Sequence, residues 1–315
     1  GGVDALSRAP LLYSDAMVRW FAGWMGARSL GQKLAMVQKF RPGYLAPVIG
    51  IMKGLTDPIV GQLMGQTAEN LAWKYGISRE DMDAFAVESH RRVAAAQDAG
   101  HLADELVPLI DRDGTVYASD DGVRRDASMD GMAKLKPFFD KKYGRVTPAN
   151  SSQITDGATW LVLASAAAVE RFGLEPVGRI VDSQWAGLEP EQMGLGPVHA
   201  ATPILQRHGL ALEDLDLIEI NEAFAAQVIA CLRAWQDADY CRSRLGLPGA
   251  LGAVDPARLN VDGGAVALGH PVGASGARIV LHLLRALRRT GGKRGIASIC
   301  IGGGQGGAML VEALG

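Results

Sequence analysis

Cysteine is scarce in this sequence, three residues in 315, odd in number and widely spaced. That argues against a disulfide framework and for a reducing compartment, with the cytoplasm as the expected location. Cys241 has no partner at metal-ligand spacing, so no metal is expected. No run of about eighteen uncharged apolar residues occurs, and no segment reads as a membrane-spanning helix. Neither sign of charge prevails: 32 Lys and Arg stand against 34 Asp and Glu, a net −2. Overall charge therefore points to no nucleic-acid partner. An initiating methionine and a recognisable signal peptide are both missing, and the sequence begins in mid-pattern. Apolar content, at 48%, suffices for buried cores in about two domains.

Glycine is what the chain has in excess, 40 residues. It clusters at Gly263-Gly264, Gly269 to Gly276 and Gly302 to Gly307, between apolar runs, where glycine permits positive φ or close backbone approach. Such clusters can be plain strand–helix turns of an α/β fold. Here each lies beside a side chain capable of chemistry.

Residues from about Pro10 to Arg145 read as helical and irregular, an excursion from a sheet-based domain. Ser78-Arg79-Glu80-Asp81 is a helix start, with Ser78 as the cap and acidic residues in the first turn. From Val146 the pattern becomes strand-like. Trp160 to Leu163, Arg179 to Val181, Leu217 to Ile220, Leu259 to Val261, Ala297 to Cys300 and Ala308 to Val311 are strand candidates. Helical spacing runs over 166–172, 197–208, 222–235 and 274–289. The alternation predicts an α/β sheet layered between helices. Asp156 to Val162 also echoes Gly306 to Val311, a faint internal repeat.

Three motifs carry the chemistry. Asn221-Glu222-Ala223-Phe224 follows a strand and opens a helix, placing Asn221 at an expected N-cap. His270, between Gly269 and Pro271, sits in a tight turn before a helix N-terminus that favours developing negative charge. Cys300 ends a strand and precedes three glycines whose N–H groups are expected to lower its pKa. Cys231, on an apolar helix face, reads as an inert buried thiol, and the other five histidines as surface or structural. A dinucleotide loop at Gly302 to Gly307 is excluded, because only eight residues follow.

Taken together these motifs resemble the thiolases, acyl-CoA acyltransferases that make or cleave 3-oxoacyl-CoA. The resemblance runs from Gly1 to Gly315. It implies a layered αβαβα fold of duplicated halves with an inserted, mostly helical loop domain. Residues 1–7 would end a first-half strand, 8–145 form the loop domain, 146–176 complete the first half and 177–315 form the C-terminal domain. It implies that Asn221 and His270 make one oxyanion hole, that Cys300 is the acid/base at the α-carbon, and that the Gly302 N–H serves a second hole. It further implies that the nucleophilic cysteine belongs to an N-terminal segment absent from this sequence, which leaves the first half incomplete, poorly stable by itself and inactive.

Segments resembling the pantetheine channel are Met64 to Asn70, Asn150 to Ser152 and Met193 to Pro197. On this basis Met64, Met193, Ser152, Phe139, Ala223 and Phe224 are expected to contact coenzyme A, a substrate rather than a resident cofactor. Arg124 matches a basic residue near the adenine nucleotide, or is simply a solvated arginine. Leu63 stands where biosynthetic acetoacetyl-CoA thiolases have histidine, which suits longer acyl chains and degradation in β-oxidation. The trifunctional β-subunit carries His-Glu-Ala-Phe where this chain has Asn221 to Phe224, and ketoacyl synthases use a second histidine, so Asn221 speaks against both. A homo-oligomer, dimer or tetramer, is implied, with a β-oxidation enzyme as a further partner. The alternative is a non-catalytic acyl-CoA-binding or scaffolding homologue.

The stretch from Asp15 to Leu55 has six Lys or Arg against one Asp, with Trp20, Phe21 and Trp24 interleaved. Such a segment lies on a membrane surface, docks a partner helix, or packs its tryptophans inward as an ordinary helix.

Overall fold

The computed structural model describes residues 1–314. The chain opens with strand β1 (Gly2–Ala5) and then leaves the sheet through β2 (Leu11–Leu12), α1 (Asp15–Gly26), α2 (Leu30–Lys39), β3 (Val48–Ile49) and α3 (Gly50–Gly54). The excursion continues with α4 (Met64–Lys74), α5 (Arg79–Asp98), β4 (Leu109–Ile110), β5 (Val116–Tyr117) and α6 (Met129–Ala133). The chain returns as β6 (Asp156–Thr159), antiparallel to β1, followed by α7 (Ala166–Phe172). The rest alternates: β7 (Gly178–Gly187), α8 (Gly196–His208), β8 (Leu217–Ile220), α9 (Ala225–Gln236), α10 (Ala238–Leu245), α11 (Ala265–Leu268), α12 (Val272–Thr290), β9 (Arg294–Ile301) and β10 (Gln305–Ala313).

The larger sheet has the order β7-β10-β9-β8, with β8 and β9 parallel and the other pairs antiparallel. One face is covered by α8 and α9, where Ile204, Leu205, Val228 and Trp235 are fully buried against Ile296 and Leu310. The other face is covered by α12, whose Ile279, Leu283 and Leu287 pack with Ala297 and Val311. These three recur at a spacing of four, so they share one side of the helix. Gly291, at φ 72°, ends α12, and Arg288 and Arg289 fall in its last turn where they complement the dipole. Beyond α12 lies the two-stranded β1–β6 sheet. The result is helices, sheet, helix and sheet in layers, the α/β fold the alternation predicts.

Ser78 caps α5 as its sequence requires, accepting from the Asp81 N–H at 3.0 Å while Asp81 accepts from the Ser78 N–H. Several expectations are corrected. Trp160 to Leu163 is not a buried strand: β6 stops at Thr159, and Trp160 and Val162 are 72% and 92% exposed. Only Leu161 of this run reaches the core beside α12. Leu259 to Val261 contributes a single bridge from Leu259 to Ile218 rather than a strand. The helix expected from Glu222 begins at Ala225 with Phe224 as N-cap, so Asn221 is not a capping residue.

The tryptophans of the 15–55 segment turn inward. Trp20 stacks on Trp24 with centroids 5.6 Å apart and donates from Nε1 to the Met36 carbonyl at 2.7 Å, joining α1 to α2. Met17 is the one buried residue of these two helices.

Candidate active site

Parallel pairing places the chemistry at one end of the larger sheet. Ile220 is in register with Ser298, and the Asn221 N–H donates to the Ser298 carbonyl at 2.9 Å. Cys300, two residues further along β9, therefore emerges beside Asn221 at the carboxyl ends of β8 and β9, where open α/β sheets commonly bind ligands. His270 comes from the turn before α12, and its Nε2 lies 3.3 Å from Asn221 Nδ2. The Asn221 side chain is 1% exposed, and its Oδ1 is buried without a partner among the described residues.

The glycines are explained by what surrounds them. At Gly269, φ is 97° and a Cβ would overlap the Thr155 hydroxyl, so the strand-return segment closes directly over the histidine turn. The His270 N–H donates to the Gln153 carbonyl at 3.2 Å. Gly303 and Gly304 both have positive φ, forming the β9–β10 turn next to Cys300.

Residues unremarked in the sequence hold this frame. Ser275 Oγ is 2.6 Å from His270 Nδ1 and donates to the Pro271 carbonyl at 3.0 Å. With its hydroxyl proton so used, Ser275 accepts from Nδ1–H, and Nε2 is left as the lone-pair nitrogen facing the site. Glu222 is fully buried and accepts from Ser89 Oγ at 2.6 Å, Asn260 Nδ2 at 2.9 Å and the Val266 N–H at 3.2 Å. It thereby ties α5, the 260 turn and α11 behind Asn221. Asp57, from the excursion, accepts the Gly303 N–H at 2.9 Å and fixes the glycine turn. Ser275 falls on the helix that follows His270 and Glu222 lies within a motif already noted; Asp57 carries no sequence signal that would have singled it out.

Burial sets the protonation states. It pushes the Cys300 thiol up to about 12, against the expectation that the glycine turn would lower it. His270 is pushed down to about 4, first by burial and then by the nearby Arg278 cation. Near neutrality the pair is therefore a neutral thiol and a neutral imidazole. Behind the sheet, Glu219 is fully buried and its carboxyl is raised to about 7 by burial. It lies 3.9 Å from His282, whose other nitrogen meets Glu105 at 3.0 Å.

Most of the remaining expected positions gather nearby. Met193, Ala223, Phe224 and Cys300 belong to one buried cluster, with Met64 and Phe139 packed on its margin. Phe139 meets Phe224 edge-to-face at 6.0 Å, and the Ser152 N–H donates to the Ala223 carbonyl at 3.0 Å. A Cβ at Gly302 would be 3.4 Å from Met64 Sδ, which brings α4 against the glycine turn. Leu63, the residue before α4, is partly buried and bridges Thr56. Arg124 is exposed, its backbone N–H donating to His90 Nδ1 at 3.1 Å. It lines a surface groove with Asp121, Arg125 and Gln153, the residue whose carbonyl holds His270. Cys231 donates to the Gly194 carbonyl at 3.2 Å and Cys241 to the Ala234 carbonyl at 3.4 Å, both deep in helices.

A layered α/β fold presenting an asparagine and a cysteine at neighbouring strand ends, with a histidine from a helix-leading turn, defines a class of acyl-transfer scaffold, and comparison narrows it. Residues 1–167 match the thiolase N-terminal domain and residues 174–313 the thiolase C-terminal domain. A 3-ketoacyl-CoA thiolase of Pectobacterium atrosepticum is 39% identical over 99% of this chain and 71% of its own length. An acetyl-CoA acetyltransferase of Chromobacterium violaceum is 46% identical over 82% of this chain and 62% of its own. The crystal structure of human mitochondrial 3-ketoacyl-CoA thiolase in complex with CoA superposes with a TM-score of 0.82 at 37% identity, covering 99% of this chain and 70% of that one. The chain belongs to the thiolase family.

Proposed function

We propose that the protein is a thiolase working chiefly in the thiolytic direction: 3-oxoacyl-CoA plus coenzyme A gives acyl-CoA, shortened by two carbons, plus acetyl-CoA. The observation that carries this reading is the Asn221–His270 contact at the end of β8, next to the end of β9 that bears the neutral thiol of Cys300. A nucleophilic thiolate adds to the 3-oxo carbonyl of the substrate, and the bond between the α and β carbons breaks. The electron pair passes to acetyl-CoA as an enolate, whose α-carbon takes the proton of Cys300. A thiol held near pKa 12 is protonated at rest, which suits it to act as that acid. Coenzyme A then gives its thiol proton to the Cys300 thiolate and attacks the acyl carbonyl, displacing the nucleophile as its thiolate. His270, neutral at rest with its Nε2 lone pair on the site side beside Asn221 Nδ2, accepts the thiol proton of the nucleophile and returns it. Asn221 and the Gly302 N–H stabilise the two oxyanions.

Neither Cys231 nor Cys241 is placed to be the nucleophile, since each is buried in helix packing. The reading therefore assigns that cysteine to residues outside these 315. Phe139, Phe224, Met64 and Met193 provide an apolar lining, with Ser152 and Ala223, for the pantetheine arm, and Arg124 faces the nucleotide end. The apolar Leu63 favours longer acyl chains, which fits fatty-acid β-oxidation. The test uses protein supplied with its nucleophilic segment. Solvent deuterium exchange at acetyl-CoA and thiolysis of 3-oxoacyl-CoA are measured for the unmodified enzyme, Cys300→Ala and His270→Ala. Cys300→Ala should lose exchange while still being acylated, whereas His270→Ala should slow acylation as well, by about 10²–10⁴-fold, the usual scale of a lost general base. Binding of acyl-CoA without turnover in the unmodified protein would move the assignment to the non-catalytic homologue.

A further inference from the structure

Gln153 joins two places that the chain keeps far apart in sequence. Its side-chain Nε2 donates to the Gly122 carbonyl at 2.7 Å and to the Ala267 carbonyl at 3.2 Å. Both partners can only accept, so the NH2 group faces them and both of its hydrogens are used. The main-chain carbonyl of the same residue accepts from the His270 N–H at 3.2 Å and from the Thr155 hydroxyl at 2.9 Å. Gly122 belongs to the groove that carries Arg124, whereas Ala267 lies in α11, three residues before His270. One side chain spans the groove wall and the segment leading into the histidine turn, and its own backbone holds the histidine.

The contact is close-packed. A Cβ on Gly122 would lie 3.1 Å from the Ala267 carbonyl oxygen and 3.2 Å from Gln153 Nε2, so the groove backbone rests directly on α11. Val123 and Leu268 both pack on the buried cluster that contains Ala267. On the opposite side the Ser152 N–H is held by the Ala223 carbonyl, which fixes this segment against the Asn221 motif. Packed contacts of this kind pass on displacements that a loose contact would absorb. Binding energy from a remote part of a substrate raises the rate constant when it places groups at the reacting centre, and a truncated substrate then loses kcat as well as affinity. A misplacement of about 1 Å at such a centre costs about 10²-fold.

We propose that Gln153 is a positioning residue through which filling of the Arg124 groove sets the His270 turn, so that the nucleotide end of coenzyme A raises the rate of acyl transfer and not only the affinity. This rests on the acyl-transfer reading and on that groove as the nucleotide end. The experiment uses protein supplied with its nucleophilic segment. Its acylation is followed in single turnovers at saturation, with acetyl-CoA and with acetyl-pantetheine, which lacks the nucleotide. The readout is the ratio of the two rate constants. It should be about tenfold or more in the unmodified protein and fall to about twofold or less in Gln153→Leu. Gly122→Ala, which crowds the Ala267 carbonyl and leaves Gln153 in place, should lower the ratio in the same direction by a smaller factor. Adenosine 3′,5′-bisphosphate, the nucleotide fragment alone, should accelerate acylation by acetyl-pantetheine in the unmodified protein and not in Gln153→Leu. Circular dichroism and a thermal melt establish that the variants are folded; if Gln153→Leu is not, the Gly122→Ala ratio decides. A ratio near one in the unmodified protein overturns the proposal. So does an undiminished ratio in the folded variants, with both thioesters slowed alike, which would leave Gln153 a structural residue only. No acylation of the unmodified protein by either thioester would instead remove the acyl-transfer reading, and the proposal with it.

Discussion

Helices α12 and α2 carry aliphatic residues at nearly the same spacing and put them to opposite uses. In α12, Ile279, Leu283 and Leu287 are buried beneath a four-stranded sheet. In α2, Leu30, Leu34 and Val37 are all exposed. The run after β6 repeats the lesson, because Trp160, Val162 and Leu163 look like core in sequence and are exposed in the fold. A periodic stripe defines a face; whether it becomes core depends on what is laid over it. The chemistry occupies the covered region, where side chains are held from several directions.

The sharpest way to break this contrast is at Cys300. Cys300→Ala should reduce thiolysis by about 10³-fold, the usual scale of a lost acid/base, while leaving the melting temperature nearly unchanged. An equal loss of stability and activity would make the cysteine a packing residue only. Next in size is Trp235→Ala. Trp235 is fully buried and donates to Thr202 Oγ1 at 3.1 Å, so the truncation should cost about 3–5 kcal/mol in a denaturant melt.

The buried carboxylate behind the sheet gives a comparable effect that depends on pH. The carboxyl of Glu219 titrates near 7 when folded and near its ordinary value of 4.5 when unfolded, so the folded state holds the proton longer. Its contribution is therefore favourable below the unfolded value, is lost as pH rises from about 4.5 to about 7, and is level above that. His282, also raised, loses stability in the same direction as pH rises. Glu219→Gln should flatten this part of the stability profile and raise stability at pH 8 by something on the order of 3 kcal/mol. A variant less stable than the parent at pH 8 would mean the carboxylate is needed as a charge.

The smallest effect belongs to the uncovered stripe. Leu34→Ala should change stability by no more than about 0.5 kcal/mol. A loss of 2 kcal/mol or more would show that the face is already covered in solution, and the contrast between α12 and α2 would dissolve.

The sequence made the second half of the fold legible because its strands are separated by helical stretches up to β9 and α12 repeats its aliphatic residues on one side. The three site motifs were legible because each sets a polar side chain at a sharp break in the pattern, Asn221 and Cys300 at strand ends and His270 in a turn between glycine and proline. What it did not reveal was collective. The Cys300 pKa depends on how completely neighbours exclude water, which outweighs the glycine turn visible in sequence. Glu222 looks like an acidic residue in a helix first turn, yet its partners Ser89, Asn260 and Val266 lie 133, 38 and 44 positions away. The Trp160 run could not announce its exposure, since an apolar string does not name what will lie against it.

Glu222 also bears on how such enzymes can be recombined. Ser89 belongs to the excursion, whereas Asn260 and Val266 belong to the second half, so one carboxylate is shared across the boundary at which a designer would naturally cut. A loop domain transplanted from a relative without a hydroxyl at position 89 would leave that side of the carboxylate unpaired directly behind Asn221. Exchange of specificity between family members should therefore succeed when α5 is transferred with its serine, and fail, through disorder at the site rather than through substrate clash, when it is not.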